Sequence, residues 1–344
     1  MKENRVKKSI EEANILRGML CIFVLIIHTT ANPSIALEPL SLSSILFSIA
    51  NSATKLVVPG FIFISGLTLT YSYKDRKINN IYLFYKNRFT NIVIPYIIWT
   101  LIYYLVYILL YNYEISINFF LERLINGNMT YHLYFIIIII QFYILFPIFL
   151  KVLKIQNNNI ILGLSIIINI VVFYKGSNPT FFITYISYFI LGMYLAFNYD
   201  NIINLFSNIK NKIIIISMGV LITIYYIIEV YLSTHFNIIL NGTGTTYYVF
   251  CFIAILMYYI LSMDICNSKN RICIKFKDQI NKISKVSFSI YFVHPLIIII
   301  MERILRDLSI SLKYGIITVV LIAISFVYAN LSYKNKLKSK IQKC

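Results

Sequence analysis

Arg17 and His28 close the two ends of a single apolar run, Arg17-Gly-Met-Leu-Cys-Ile-Phe-Val-Leu-Ile-Ile-His28. Eleven residues make almost three turns of α-helix, so the two side chains share one helix face, roughly 16 Å apart along the axis. A permanent cation at one end and a titratable imidazole at the other suit a ligand that is anionic at one end and reactive at the other. The plainer reading of the same pair is a guanidinium that snorkels to lipid phosphate and an imidazole that hydrogen-bonds a neighbouring helix. An ionisable residue inside an apolar segment is costly and marks function by default, which gives the pair its interest.

His294 ends a second polar run, Ser287-Phe-Ser-Ile-Tyr-Phe-Val-His294-Pro295. Pro295 frees a backbone carbonyl there, so a kinked helix with polar neighbours is expected. His132 opens an apolar segment among aromatics, Tyr131-His-Leu-Tyr-Phe135. Arg88 starts another, in Arg88-Phe-Thr-Asn-Ile-Val-Ile-Pro95-Tyr-Ile-Ile-Trp99. By itself Arg88 reads as an anchor at the membrane surface; beside Arg17 it gains a ligand-binding reading. Glu229 lies within an apolar run, either facing a substrate or pairing with Lys55 or a histidine. Glu302 and Arg306 are spaced for a helical i,i+4 ion pair. His235 falls in the loop after the seventh apolar run and is left unassigned.

These residues need membrane-spanning helices to hold them. The chain has 344 residues, 59% of them hydrophobic and only 13% charged, with a net charge of +18 and a mean hydropathy of +0.77. Such a composition excludes a soluble globular domain, a disulfide scaffold, a disordered tail and a coiled coil. The positive charge is spread through gaps between apolar runs rather than gathered on a soluble domain, so no nucleic-acid partner is expected. About ten runs reach the roughly 20 residues that a crossing needs: 13–31, 56–72, 92–111, 133–150, 159–174, 180–198, 212–232, 247–264, 286–301 and 314–332. The amphipathic 40–55 is read as a surface helix leading into the second span; counting it as a crossing gives eleven. With the N-terminus inside, most of the 31 basic residues fall in the cytoplasmic gaps. Arg123, Lys175, Arg303, Arg306 and Lys313 fall outside, while Arg17 and Lys55 lie in or beside spans. This asymmetry places both termini in the cytoplasm, in a plasma membrane.

The fold expectation is therefore an all-α polytopic bundle, with 1–344 as one transmembrane domain and no soluble extension. The cysteines fall in apolar segments or cytoplasmic gaps, with no CxxC pair, so neither disulfides nor a metal site is expected. The stretch Asn241-Gly-Thr-Gly-Thr-Thr246 lacks the lysine and preceding strand of a nucleotide loop. The richness in Asn, Lys and Ile suits an AT-rich genome, most simply that of a low-GC bacterium.

Five of these segments, in order, resemble the membrane acyltransferase-3 family. They are the Arg17–His28 pair, Val58-Pro-Gly-Phe-Ile-Phe-Ile-Ser-Gly66, the Arg88–Trp99 stretch, the His132 stretch and the run ending at Pro295. The resemblance covers nearly the whole chain. It implies O-acylation of cell-surface glycans or related acceptors. Two departures stand out: Asn14 where the family often has an acid three residues before the arginine, and Asn91 where a second basic residue commonly follows Arg88. Both leave the arginines with fewer of their usual partners.

Taken together, the residues and the resemblance point to an acyltransferase. Arg17 and Arg88 would hold the phosphates of acetyl-CoA or another acyl-CoA, a co-substrate rather than a tightly bound cofactor, and no metal is needed. His28 would act as general base or carry the acyl group, with His294 orienting or protonating. His132, Glu229 and Lys55 are the candidates for binding a carbohydrate or glycolipid acceptor. The bilayer is the remaining partner, and an oligomer is left open. The alternative is a multi-pass transporter or flippase of a polysaccharide or small amphiphile, although the chain has no internal repeat of the kind common in such proteins.

Overall fold

A computed structural model describes residues 10–75, 78, 80–176, 178–240 and 243–341. The basic residues between Lys2 and Lys8, Arg76 and Lys77, Asn241 with Gly242, the side chains from Lys336 to Lys343, and Cys344 lie outside the described residues. Among the described residues all regular structure is helical. The main helices are α1 (Glu11–Thr30), α2 (Leu42–Thr54), α3 (Val57–Tyr73), α4 (Ile81–Arg88), α5 (Ile94–Tyr111), α6 (Ile117–Asn126), α7 (Tyr134–Ile155), α8 (Asn158–Tyr174), α9 (Ile186–Phe197), α10 (Tyr199–Ser207), α11 (Ile209–Phe236), α12 (Thr243–Asn267), α13 (Arg271–Ile304) and α14 (Ile310–Ile341).

Every one of the ten expected spans falls on a helix, but they are not equal. Among the described residues eight segments are long and apolar enough to cross a bilayer. A ninth reaches that length only if Phe182–Phe197 is joined across a break to Tyr199–Ser207, and the remaining one, Asn158–Tyr174, has 17 residues. The protein is thus a multi-pass all-α membrane bundle with eight or nine spans by this measure. Two spans start well before their apolar runs. Asn80 accepts from the Leu83 amide and begins α4, and a π-helical turn at Phe89–Val93 carries it on into α5. Asn270 likewise caps α13, whose 34 residues include a basic first half before the apolar one.

Ser65–Tyr199 form one compact unit, and the described residues up to Ile64 and from Asp200 onward form a second, discontinuous one. The inserted unit is held by aromatic stacking, with Phe142 4.4 Å from Phe189. Its polar anchor is Asn169, buried in α8. That side chain donates to the carbonyls of Ile183 (3.1 Å) and Thr184 (2.6 Å) and accepts from the Ser187 amide (2.7 Å). One amide side chain thereby satisfies two carbonyls of the 3₁₀ turn Phe182–Tyr185 and an amide that the first turn of α9 leaves open.

In the discontinuous unit α1 is surrounded by α2, α12, α13 and α14. Its closest approach is to α13 at Gly18, where an added Cβ would lie 2.5 Å from the Ile280 carbonyl oxygen. Small residues allow this because, between apolar helices, close packing replaces the hydrophobic drive available in water. Glu11 pairs with Lys277 at 2.9 Å. The pairings Glu11 with Lys277, Gly18 with Ile280 and His28 with His294 advance together along both helices, so α1 and α13 run parallel. Cys21, Leu25, Ile283, Val286, Ile290 and Leu321 fill the core beside this seam.

Candidate active site

The parallel packing of α1 on α13 stacks His28 against His294, with ring centroids 5.2 Å apart and planes 27° from parallel. His294 is 1% exposed and His28 half-buried. The His294 Nδ1 lies 3.2 Å from the Ile290 carbonyl. A carbonyl only accepts, so Nδ1 carries the proton, and in the neutral ring the lone pair is on Nε2. Pro295 has no amide hydrogen, so the Tyr291 carbonyl lacks its helical donor; that carbonyl also meets the imidazole. Pro295 sits inside α13 without ending it. The His-Pro sequence therefore fixes both the tautomer and the orientation of the ring.

The last turn of α1 is gripped from two sides. Asn51 of α2 donates to the Ile27 carbonyl (3.0 Å) and to Thr30 Oγ1 (3.2 Å). Thr318 of α14 donates to Thr29 Oγ1 at 2.8 Å. These bonds flank His28 in sequence, and the one to Ile27 supplies a donor to a carbonyl that the end of the helix leaves open. Asn51 and Thr318 escaped the sequence reading. The signal for Asn51 was the buried polar stripe Ser44, Ser48, Asn51, Ser52 of α2, whereas Thr318 carried none.

Arg17 lies near the start of the same helix and donates from Nη1 to Asn14 Oδ1 at 3.1 Å. Asn14, where the family often has an acid, thus still meets the arginine, as a neutral acceptor. Glu12, one turn earlier and buried, accepts from the Tyr259 hydroxyl at 2.9 Å.

Between α13 and α14 a cavity of about 190 Å³ reaches His294. Ile290, Val293 and Ile297 wall it from α13, Leu321 and Ile324 from α14.

Lys55 and Glu229 lie in the discontinuous unit with the histidine pair. Lys55 follows α2, its ammonium 5.9 Å from the centre of the Tyr226 ring, and its carbonyl accepts from the Tyr247 hydroxyl at 3.2 Å. Glu229 is completely buried, one turn along α11 from Tyr226. His235 belongs to the last turn of α11 rather than to a loop. Its Nε2 is 3.4 Å from Ser44 Oγ. The helical pair expected of Glu302 and Arg306 does not form, because α13 ends at Ile304 and breaks the spacing. Glu302 accepts instead from the Tyr314 hydroxyl at 2.6 Å.

Arg88 and His132 belong to the inserted unit. The Arg88 guanidinium lies 3.9 Å from the centre of the Phe84 ring, at the π-helical turn. Asn91 spends its amide on the Asn87 carbonyl at 2.6 Å. His132 is 2% exposed, buried in the turn before α7 with its ring against that of exposed Tyr131 at 5.7 Å. Its Nδ1 is 3.0 Å from Thr130 Oγ1, and Tyr103 meets its ring edge-on at 5.5 Å.

A family model described as an acyltransferase domain matches residues 10–330. The chain belongs to the acyltransferase-3 family. Among curated proteins it is similar to a Staphylococcus epidermidis protein named "Probable poly-beta-1,6-N-acetyl-D-glucosamine export protein". The two are 27% identical over 320 residues, covering 85% of this chain and 82% of the relative. A Staphylococcus aureus (strain MSSA476) protein of the same name is 28% identical over 316 residues, covering 85% and 83%. No solved structure matches the chain.

Proposed function

We propose that this acyltransferase-3 protein moves an acyl group, acetyl in the simplest case, from a cytosolic acyl-CoA to a hydroxyl of a cell-surface or lipid-linked carbohydrate. The observation that carries this reading is the stacking of half-buried His28 on buried His294. His28 takes the acceptor hydroxyl proton as the oxygen attacks the thioester carbonyl. The C–O bond forms, the C–S bond breaks, and the proton passes to the departing thiolate. His294, held by the Ile290 carbonyl, orients His28 and offers its Nε2 to the proton in transit. A positioned base of this kind contributes about 10²–10⁴-fold. Arg17, one helix face below, supplies a guanidinium for phosphate, the geometry in which arginine is strongest. Lys55 and Glu229 are proposed for the acceptor, and the basic gaps favour cytoplasmic termini in the plasma membrane.

A second reading, export of a polysaccharide, draws on the printed names of the staphylococcal relatives. One experiment separates the two. Membranes containing the chain receive labelled acetyl-CoA, and covalent label is sought in surface polymer from wild type and His28→Ala. Acylation by wild type, reduced at least ~10²-fold in the variant, supports transfer. Polymer translocation without covalent change, unaffected in His28→Ala, refutes it.

A further inference from the structure

We propose that the cavity between α13 and α14 is the subsite for the hydrocarbon tail of the transferred acyl group, and that it selects uncharged chains over chains ending in a carboxylate. This rests on the acyltransferase reading and adds to it the class of acyl group. His294 lines the cavity and also stacks on His28. A carbonyl carbon poised at the pair therefore has the cavity as its adjoining space. The volume of about 190 Å³ holds about six water-sized groups, enough for a short chain. Five of the nine residues lining it are aliphatic, and Ser289, Ser325, Tyr328 and His294 complete the lining. Among the described residues, none that line it is Lys, Arg, Asp or Glu.

The polar groups present are hydroxyls and the imidazole. Ser325 already donates its hydroxyl to the Leu321 carbonyl at 2.9 Å. An ionised carboxylate placed here finds no counter-charge, and burying such a group unpaired is prohibitive. A methyl in the same position loses nothing and leaves water. The mouth of the cavity is marked by exposed Ile324 and Tyr328, within segments that are candidate spans. A chain longer than the cavity therefore continues into hydrocarbon. During transfer the tail stays in place while the acyl carbon exchanges its sulfur for the acceptor oxygen.

Butyryl and succinyl groups have equal carbon number and differ at the far end, so they form the decisive pair. The full chain in membranes is supplied with acetyl-, butyryl-, hexanoyl- or succinyl-CoA, and kcat/KM is measured for each. The expected result is a rise of about fourfold per buried methylene from acetyl to butyryl and a succinyl value at least ~10²-fold below butyryl. Ser325→Leu fills the cavity and lowers the butyryl-to-acetyl ratio by about tenfold; Val293→Phe does the same from α13 should the first variant fail to accumulate. Succinyl used as well as butyryl, or filled variants that leave the ratio unchanged, overturns the subsite while acetyl transfer still supports the enzyme. Silence with all four donors overturns the acyltransferase reading, and the subsite falls with it.

Discussion

Substitution of Gly18 by alanine tests whether the α1–α13 seam sets the histidine pair. The new Cβ would lie 2.5 Å from the Ile280 carbonyl oxygen and 2.6 Å from its Cγ2. The methyl can rotate away, but the carbonyl belongs to the helix backbone and cannot. Restoring a separation of 3.0–3.4 Å requires the helices to part locally by about 0.5–0.9 Å. Overpacking of this kind costs about 1–3 kcal/mol, and the gain in helix propensity from glycine to alanine returns about 1 kcal/mol. The net expectation is a loss of about 0–2 kcal/mol. The site responds more strongly. His28 lies ten residues along α1, about 15 Å away, and a displacement approaching 1 Å at a reacting group costs up to ~10²-fold in rate. Gly18→Ala should therefore lower kcat by about 10–10²-fold with only a small fall in Tm. Gly315→Ala is the control, because an added Cβ there meets nothing within 4 Å; it should raise stability by about 0.5–1 kcal/mol. Thermal unfolding of the detergent-solubilised protein and acyl transfer in membranes give the two readouts. A Gly18→Ala protein with full activity and a Tm raised like that of Gly315→Ala would falsify the argument.

Three further outcomes follow from the same geometry. Asn51→Leu leaves the Ile27 carbonyl without this donor and should cost about 1–3 kcal/mol by thermal or denaturant unfolding; an unchanged Tm would show that the bond carries no weight. In the inserted unit Asn169→Leu removes three backbone partners at once and should cost at least ~2 kcal/mol, with proteolysis near α9 as a local readout; a neutral result would mean that those groups find other partners. If His28 and His294 act as one unit, each alanine variant should lose ~10²–10⁴-fold in kcat and the double variant no more than the worse single. Losses that multiply would show independent roles.

The sequence determined the class of the protein and the identity of its polar outliers. Hydropathy is a property of each residue with its neighbours, and transfer into lipid is local in the same sense, so every apolar run became a helix. The Arg17–His28 spacing and the His294-Pro295 step were legible for the same reason, since both lie within single helices. The bounds of α13 were less so, because its amphipathic first half, from Arg271, gives no apolar signal although Asn270 caps it. The relation of Glu302 to Tyr314 rather than Arg306 was hidden, because it depends on where α13 stops.

Only tertiary structure decided that His28 meets His294, that Asn51 and Thr318 hold the turn between them, and that a small cavity opens beside the imidazole. Helices that are all apolar do not choose neighbours by hydrophobicity, since lipid serves each face as well as another helix does. They choose by shape and by a few hydrogen bonds, and the fit of Gly18 on the Ile280 backbone is visible only when both helices are in place.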